Sequence, residues 1–141
     1  TGQSTRVGGL AGVLTRYGNL YNCYSNTSNV LGTYAGRMVG DRNGTTYSPV
    51  TYCYAYGTSS TTFISVNGGT AASGASTSTS PLSYTGTGIN NSGYYTSTSH
   101  MTSSGFATTL NTLLTSDSSS WVYNSSKNGG YPYPSAIEGL L

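Results

Sequence analysis

Charge is almost missing from this chain. Five basic residues (Arg6, Arg16, Arg37, Arg42 and Lys127) and three acidic ones (Asp41, Asp117 and Glu138) are all that its 141 residues carry, whereas a globular domain averages about a quarter charged. A scattered net charge of +2 cannot track a phosphate backbone, which argues against nucleic acid as a partner. Three carboxylates and a single His100 leave little for acid–base catalysis or for holding a metal, so neither an enzyme nor a cofactor is expected. Long apolar runs are missing too, since no stretch approaches the roughly 18 residues of a membrane-spanning helix. Lys and Glu, the usual solubilising residues of cytosolic proteins, occur once each. No initiator Met or signal peptide opens the sequence, so Thr1 is expected to begin a processed product or a cut piece of a longer chain.

Ser, Thr, Gly, Tyr and Asn fill 92 of the 141 positions, so hydroxyl and amide groups must keep the surface wet. Such a composition suits an extracellular or cell-surface setting. A disordered tether is a poor reading, because 14 Tyr, two Phe and one Trp are spread along the chain. Tyr and Thr favour half-buried strands, and Gly and Asn punctuate short apolar clusters at turn spacing. Residues 68–80 read as a loop insertion. The four Asn-X-Ser/Thr triplets starting at Asn26, Asn43, Asn90 and Asn124 fit glycosylation sequons, though this composition generates them by chance.

The clusters echo one another. Val7-Gly8-Gly9-Leu10-Ala11-Gly12 returns as Ala35-Gly36-Arg37-Met38-Val39-Gly40, 28 residues later. Leu20-Tyr21-Asn22-Cys23-Tyr24-Ser25 returns as Val50-Thr51-Tyr52-Cys53-Tyr54-Ala55, with the two cysteines 30 apart. A third echo, Ile89-Asn90-Asn91-Ser92-Gly93-Tyr94-Tyr95, is read with Gly93 in the Cys place. A period near 30 residues, built of short strands and Gly/Asn turns, fits one coil of a β-solenoid more readily than an antiparallel sandwich. Gly8, Gly9, Gly12, Gly36 and Gly40 would then let the backbone turn tightly or approach its neighbours, and Leu10 would be structural beside them.

The alternation of a GGLAG-type strand with an NCYS-type strand resembles the GLUG motif, which recurs in tandem in large bacterial surface proteins, adhesin-like chains among them. Residues 7–25 match well, residues 35–55 form a looser copy in which Arg37-Met38 is unusual, and residues 89–95 a degenerate one. The C-terminal third is similar to the segment that closes such arrays. The resemblance implies a right-handed β-helix on a bacterial cell surface and supplies no catalytic residue. The expected fold is therefore all-β, a right-handed parallel β-solenoid over residues 1–97, followed by a closing segment over 98–141 with a short capping helix.

Within that segment Phe106, Leu110, Leu113 and Leu114 share one helical face, predicting a helix over about 102–115 that caps an open coil. A strand is predicted at 121–123, containing Trp121, and then an extended tail. Cys23 and Cys53 are expected to stack, either as buried free thiols or as a disulfide; a metal site would need further ligands. Nucleophilic catalysis would need His100 oriented by Asp41 or Asp117 beside a serine, and no Gly-x-Ser-x-Gly elbow occurs. Strand alternation sets Cys53 opposite Tyr52 and Tyr54, and Cys23 opposite Tyr24. If the cysteines face inward, Tyr24, Tyr52 and Tyr54 form an exposed interaction stripe. The function expected is a non-catalytic structural module, either an adhesin-like scaffold or a head-to-tail filament subunit. It would meet copies of itself or neighbouring coils end to end, with carbohydrate binding by the Tyr stripe to surface glycans as the alternative.

Overall fold

A computed structural model describes residues 5–42, 48–58, 62–66, 70–112, 114 and 120–141. The first motif copy forms strands β1 (Arg6–Gly8), β2 (Ala11–Leu14), β3 (Leu20–Tyr21) and β4 (Tyr24–Ser25). The second forms β5 (Tyr34–Gly36), β6 (Val39–Arg42), β7 (Val50–Thr51) and β8 (Tyr54–Tyr56). Then come β9 (Thr70–Ala71), β10 (Leu82–Gly86) and β11 (Ile89–Tyr95), helices α1 (Thr98–Met101) and α2 (Ser104–Asn111), β12 (Trp121–Val122), and β13 (Tyr133–Pro134). Short 3-10 helices cover Asn128–Gly130 and Ser135–Leu140.

The first two copies lie side by side in parallel, pairing Val7 with Ala35, Gly8 with Gly36, Ala11 with Val39, Leu20 with Val50 and Tyr24 with Tyr54. The glycine shared by β1 and β5 has a steric cause. A Cβ on Gly8 would strike the carbonyl oxygen of Ala11, and one on Gly36 would strike that of Val39. The chain bends back on itself at the same place in both copies, and only glycine allows it.

The architecture is nonetheless not a right-handed parallel β-solenoid. Among the described residues the strands fall into separate small sheets: β1 with β5, β2 with β6, β12 with β13, and a larger sheet in the order β3-β7-β11-β10-β9 that β4 and β8 also join. Parallel stacking ends at the third copy. There β11 accepts β7 and β8 on one side, but on the other it folds back as an antiparallel hairpin with β10, which pairs antiparallel with β9 in turn. The hairpin is made by the two-residue connection Thr87-Gly88, with Gly88 at φ 70°, the left-handed conformation that such tight turns require. Residues 70–80, read as loop, thus contribute a strand; Gly68 lies outside the described residues.

The helical segment departs from expectation as well. The helix predicted over about 102–115 is shorter, Ser104–Asn111, and a separate turn of helix, Thr98–Met101, precedes it; the extended Ser103 starts α2, its hydroxyl accepting the Phe106 N–H at 3.2 Å, a standard N-cap. Leu113 lies outside the described residues. Helix α2 does not cap an end of the strand stack. Phe106 meets the rings of Tyr24, Tyr54 and Tyr95 at centroid distances of 5.3, 6.0 and 4.9 Å, one ring each from β4, β8 and β11. The helix therefore lies along the side of the sheet, across all three copies. Asn111 fixes its far end: the carboxamide donates to the Trp121 carbonyl and accepts the Trp121 N–H, both at 2.8 Å.

Two cores result, one on each face of the larger sheet. Val50, Cys53, Ala55, Ile89 and Tyr94 belong to the first, with Met38, Phe63 and Tyr84. Tyr54, Tyr95, Met101, Phe106 and Leu110 form the second. Neighbouring residues such as Cys53 and Tyr54, or Tyr94 and Tyr95, enter opposite cores, as strand alternation demands.

Candidate functional site

The most regular feature of the molecule is the turn that interrupts each aromatic strand. Asn22, Tyr52 and Asn91 all take positive φ, at 49°, 54° and 47°. The residue after each carries a small donor that returns to the carbonyl two residues back. Cys23 Sγ donates to Tyr21 O at 3.1 Å, Cys53 Sγ to Thr51 O at 3.3 Å, and Ser92 Oγ to Asn90 O at 3.0 Å. The third copy therefore carries Ser92, not Gly93, in the cysteine place, and Gly93 pairs with Tyr54. The motif echo places Gly93 there; the shared hydrogen-bonding role and the strand register identify Ser92. Ser92 Oγ also accepts the Cys53 N–H at 3.0 Å, stitching the second and third turns together.

Both cysteines are free thiols, Cys53 buried and Cys23 half-buried. Hydrogen bonding from Cys53 brings Cys23 down to about 7, against the opposing pull of burial. The same interaction, with burial, pushes Cys53 up. Cys23 is thus the more acidic of the two thiols, and thiolate is the reactive form. Iodoacetamide at pH 7 is expected to alkylate Cys23 at least about tenfold faster than Cys53. Peptide mass spectrometry over a time course checks this, and equal labelling would contradict the asymmetry.

The expected tyrosine stripe is not an exposed surface. Tyr54 is buried, and Tyr24 stacks against Tyr131 while its hydroxyl donates to the Pro132 carbonyl at 2.6 Å. Inward-facing cysteines do put these tyrosines on the opposite face, but the C-terminal segment covers that face. Tyr24 and Tyr52 are both half-buried, and Tyr21 meets Tyr52 edge-to-face at 5.5 Å and 86°. Beside it a groove of about 370 Å³ is lined by Tyr52, Tyr54, Thr79, Asn91, Thr109 and Thr112.

The other candidates are dispersed. The Nδ1 of His100 hydrogen-bonds the Ser76 hydroxyl at 2.9 Å. Ser76 is itself buried and clamped to Thr96, whose N–H donates to Ser76 Oγ at 3.0 Å while the Ser76 N–H donates to Thr96 Oγ1 at 3.2 Å. This network pins the 72–80 segment to the end of β11. Asp41 pairs with Arg6 at 2.5 Å, and Asp117 and Asn43 lie outside the described residues. Among the described residues no group of three His, Cys, Asp or Glu side chains could hold a metal ion, and no helix is long and apolar enough to cross a membrane.

Of the residues read as structural, Phe106 and Leu110 are fully buried and Trp121 packs against them. Leu10 is the exception, at 44% exposure, whereas Met38, its counterpart in the second copy, is at 0%. The reason is layering. Leu10 N–H donates to the Met38 carbonyl and Met38 N–H to the Phe63 carbonyl, so Met38 has a layer on either side and Leu10 has one. Arg37, the other unusual residue of that copy, reaches across to the Thr27 carbonyl. No family model matches the chain, and neither curated proteins nor solved structures give a match.

Proposed function

We propose that this chain is a non-catalytic structural module of an extracellular or cell-surface protein, an adhesin-like scaffold that joins a second molecule through its first motif copy. The observation that carries the reading is the uncovered edge. Among the described residues β1, β2, β3 and β4 each have a single strand partner, always from the second copy. The outer backbone of that layer can pair with an added strand. Val7, Leu10, Val13, Tyr17, Tyr21 and Leu31, all between residues 7 and 31, are most of the exposed large hydrophobics among the described residues. Exposed apolar residues gathered in one copy, beside unpaired strand backbone, mark an interaction surface. Little charge is present to repel a like partner.

The opposite side is already occupied, by β10 and β9 along the larger sheet and by Phe63 and Ile64 along β6. Two molecules meeting through the same edge close as a symmetric pair, whereas an open filament needs a second free edge. The resemblance to GLUG-motif surface proteins and the hydroxyl-rich, charge-poor composition support the cell-surface setting. Light scattering on a dilution series is expected to show a dimer at micromolar concentration. Leu10→Lys with Val13→Lys should weaken it at least about tenfold, because both charges would be buried in the joint. A monomer at every concentration would overturn the proposal, and long regular fibres would return the filament arrangement.

A further inference from the structure

The groove beside Tyr52 is distinct from the open edge, and the residue at its rim is the wrong one for its backbone. At the three equivalent turns the first and third copies place Asn, at Asn22 and Asn91, and the second places Tyr52, all with φ near +50°. Asn tolerates this left-handed conformation through its short polar side chain, while for a bulky residue it is a genuine outlier. Local backbone energetics favour Asn at position 52. Tyr17 carries similar strain out in solvent, but at Tyr52 the strained backbone holds an aromatic ring at the mouth of a groove, and that combination points to use of the ring.

The surroundings suggest what the ring meets. Tyr21 fixes it edge-to-face. Behind it the groove of about 370 Å³ is lined by Asn91, Thr79, Thr109 and Thr112, with no charged residue among the described residues of its lining. That volume lies at the small end of ligand sites and suits a mono- or disaccharide. An aromatic face offers an apolar platform to the C–H side of a sugar ring; the Asn91 carboxamide supplies donors and an acceptor, while Thr109 and Thr112, whose hydroxyls donate to helix carbonyls, offer acceptor lone pairs. The described lining residues include no Arg or Lys, which acidic sugars and phosphorylated ligands would call for.

We infer that the Tyr52 groove, between the second strand turn and α2, is a binding site for neutral saccharides, with Tyr52 as the stacking platform and Asn91 and the threonines as hydrogen-bonding partners. The site shares Tyr21 with the edge proposed above but neither Leu10 nor Val13, so its failure would leave that pairing untouched.

The test uses the chain with lactose, cellobiose, maltose and chitobiose, read by saturation-transfer NMR and calorimetric titration. At least one is expected to bind in the millimolar range, with Tyr52 ring protons in contact. Tyr52→Asn installs the residue its two counterparts carry. It is expected to raise Tm by about 3 °C through relief of the left-handed strain and to weaken saccharide binding at least tenfold. Tyr17→Asn is the matched control. Tyr17 also has positive φ, at 71°, and is exposed at a different turn, so the change should leave binding unaltered. Because Tyr52→Asn is expected to fold better than the parent, lost binding cannot be put down to lost structure. Absence of binding by all four saccharides would overturn the inference, as would equal binding by the parent and Tyr52→Asn.

Discussion

Phe106→Ala is expected to destabilise the protein by about 3–5 kcal/mol, the cost of emptying a fully enclosed aromatic site. Phe106 is fully buried and is the one ring that touches the aromatic strand of all three motif copies, through Tyr24, Tyr54 and Tyr95. Each edge-on or tilted ring pair adds about 0.5–1.5 kcal/mol beyond area burial, and Ala retains none of them. The gap cannot close easily, because α2 is tied at both ends, by the Ser103 cap and by the Asn111 bridge to Trp121. Urea unfolding measures the loss, and near-ultraviolet circular dichroism reports whether the tyrosine cluster becomes mobile. Leu31→Ala, at a residue 77% exposed, should change stability by no more than about 0.5 kcal/mol. If Phe106→Ala costs under about 1 kcal/mol, the second core does not hold the helical segment to the sheet.

That second core also shows where sequence reasoning runs out. The pairing of the first two copies is legible, because glycine is demanded at the same bend in each and the offset of 28 between Val7 and Ala35 is the offset of their parallel partners. The third copy is harder to place. Its register depends on a hydrogen-bonding role that cysteine and serine share, and it ends in a hairpin whose signal, Thr87-Gly88, is only two residues long. The face that α2 covers is invisible to periodicity. Alternation correctly separates Cys53 from Tyr54, but alternation specifies opposite faces and does not say which is wet. A charge-poor chain removes the usual clue, since no Lys or Glu marks the outer side of these strands. The same silence hides the Tyr52 groove, which appears only when the left-handed backbone at position 52 is compared with its two asparagine counterparts.

Raising the pH from 10 to 12 is expected to remove on the order of 3 kcal/mol of stability and to unfold the protein well before acid does. Burial holds Tyr84 and Tyr95 neutral, pushing each up to about 12, and Tyr54 moves the same way. In the unfolded chain these phenols ionise near 10. Between the two values the unfolded state releases protons that the folded state keeps, so the stabilisation is complete below pH 10 and is lost as the pH climbs through 12. At about 1.4 kcal/mol per pH unit for each group, Tyr84 and Tyr95 alone set a ceiling of about 5 kcal/mol, reduced by partial solvent screening. On the acid side only Asp41, Asp117 and Glu138 are carboxylates able to take up protons, so few groups can drive acid unfolding and that limb of the curve should be shallow. Thermal melts from pH 3 to 12, read beside tyrosinate absorbance, test both limbs. Tyr84→Phe with Tyr95→Phe keeps the rings and deletes the titrating hydroxyls, so the double variant should hold its Tm further into alkali than the parent. An alkaline midpoint identical in the two proteins would show that these buried phenols do not set it.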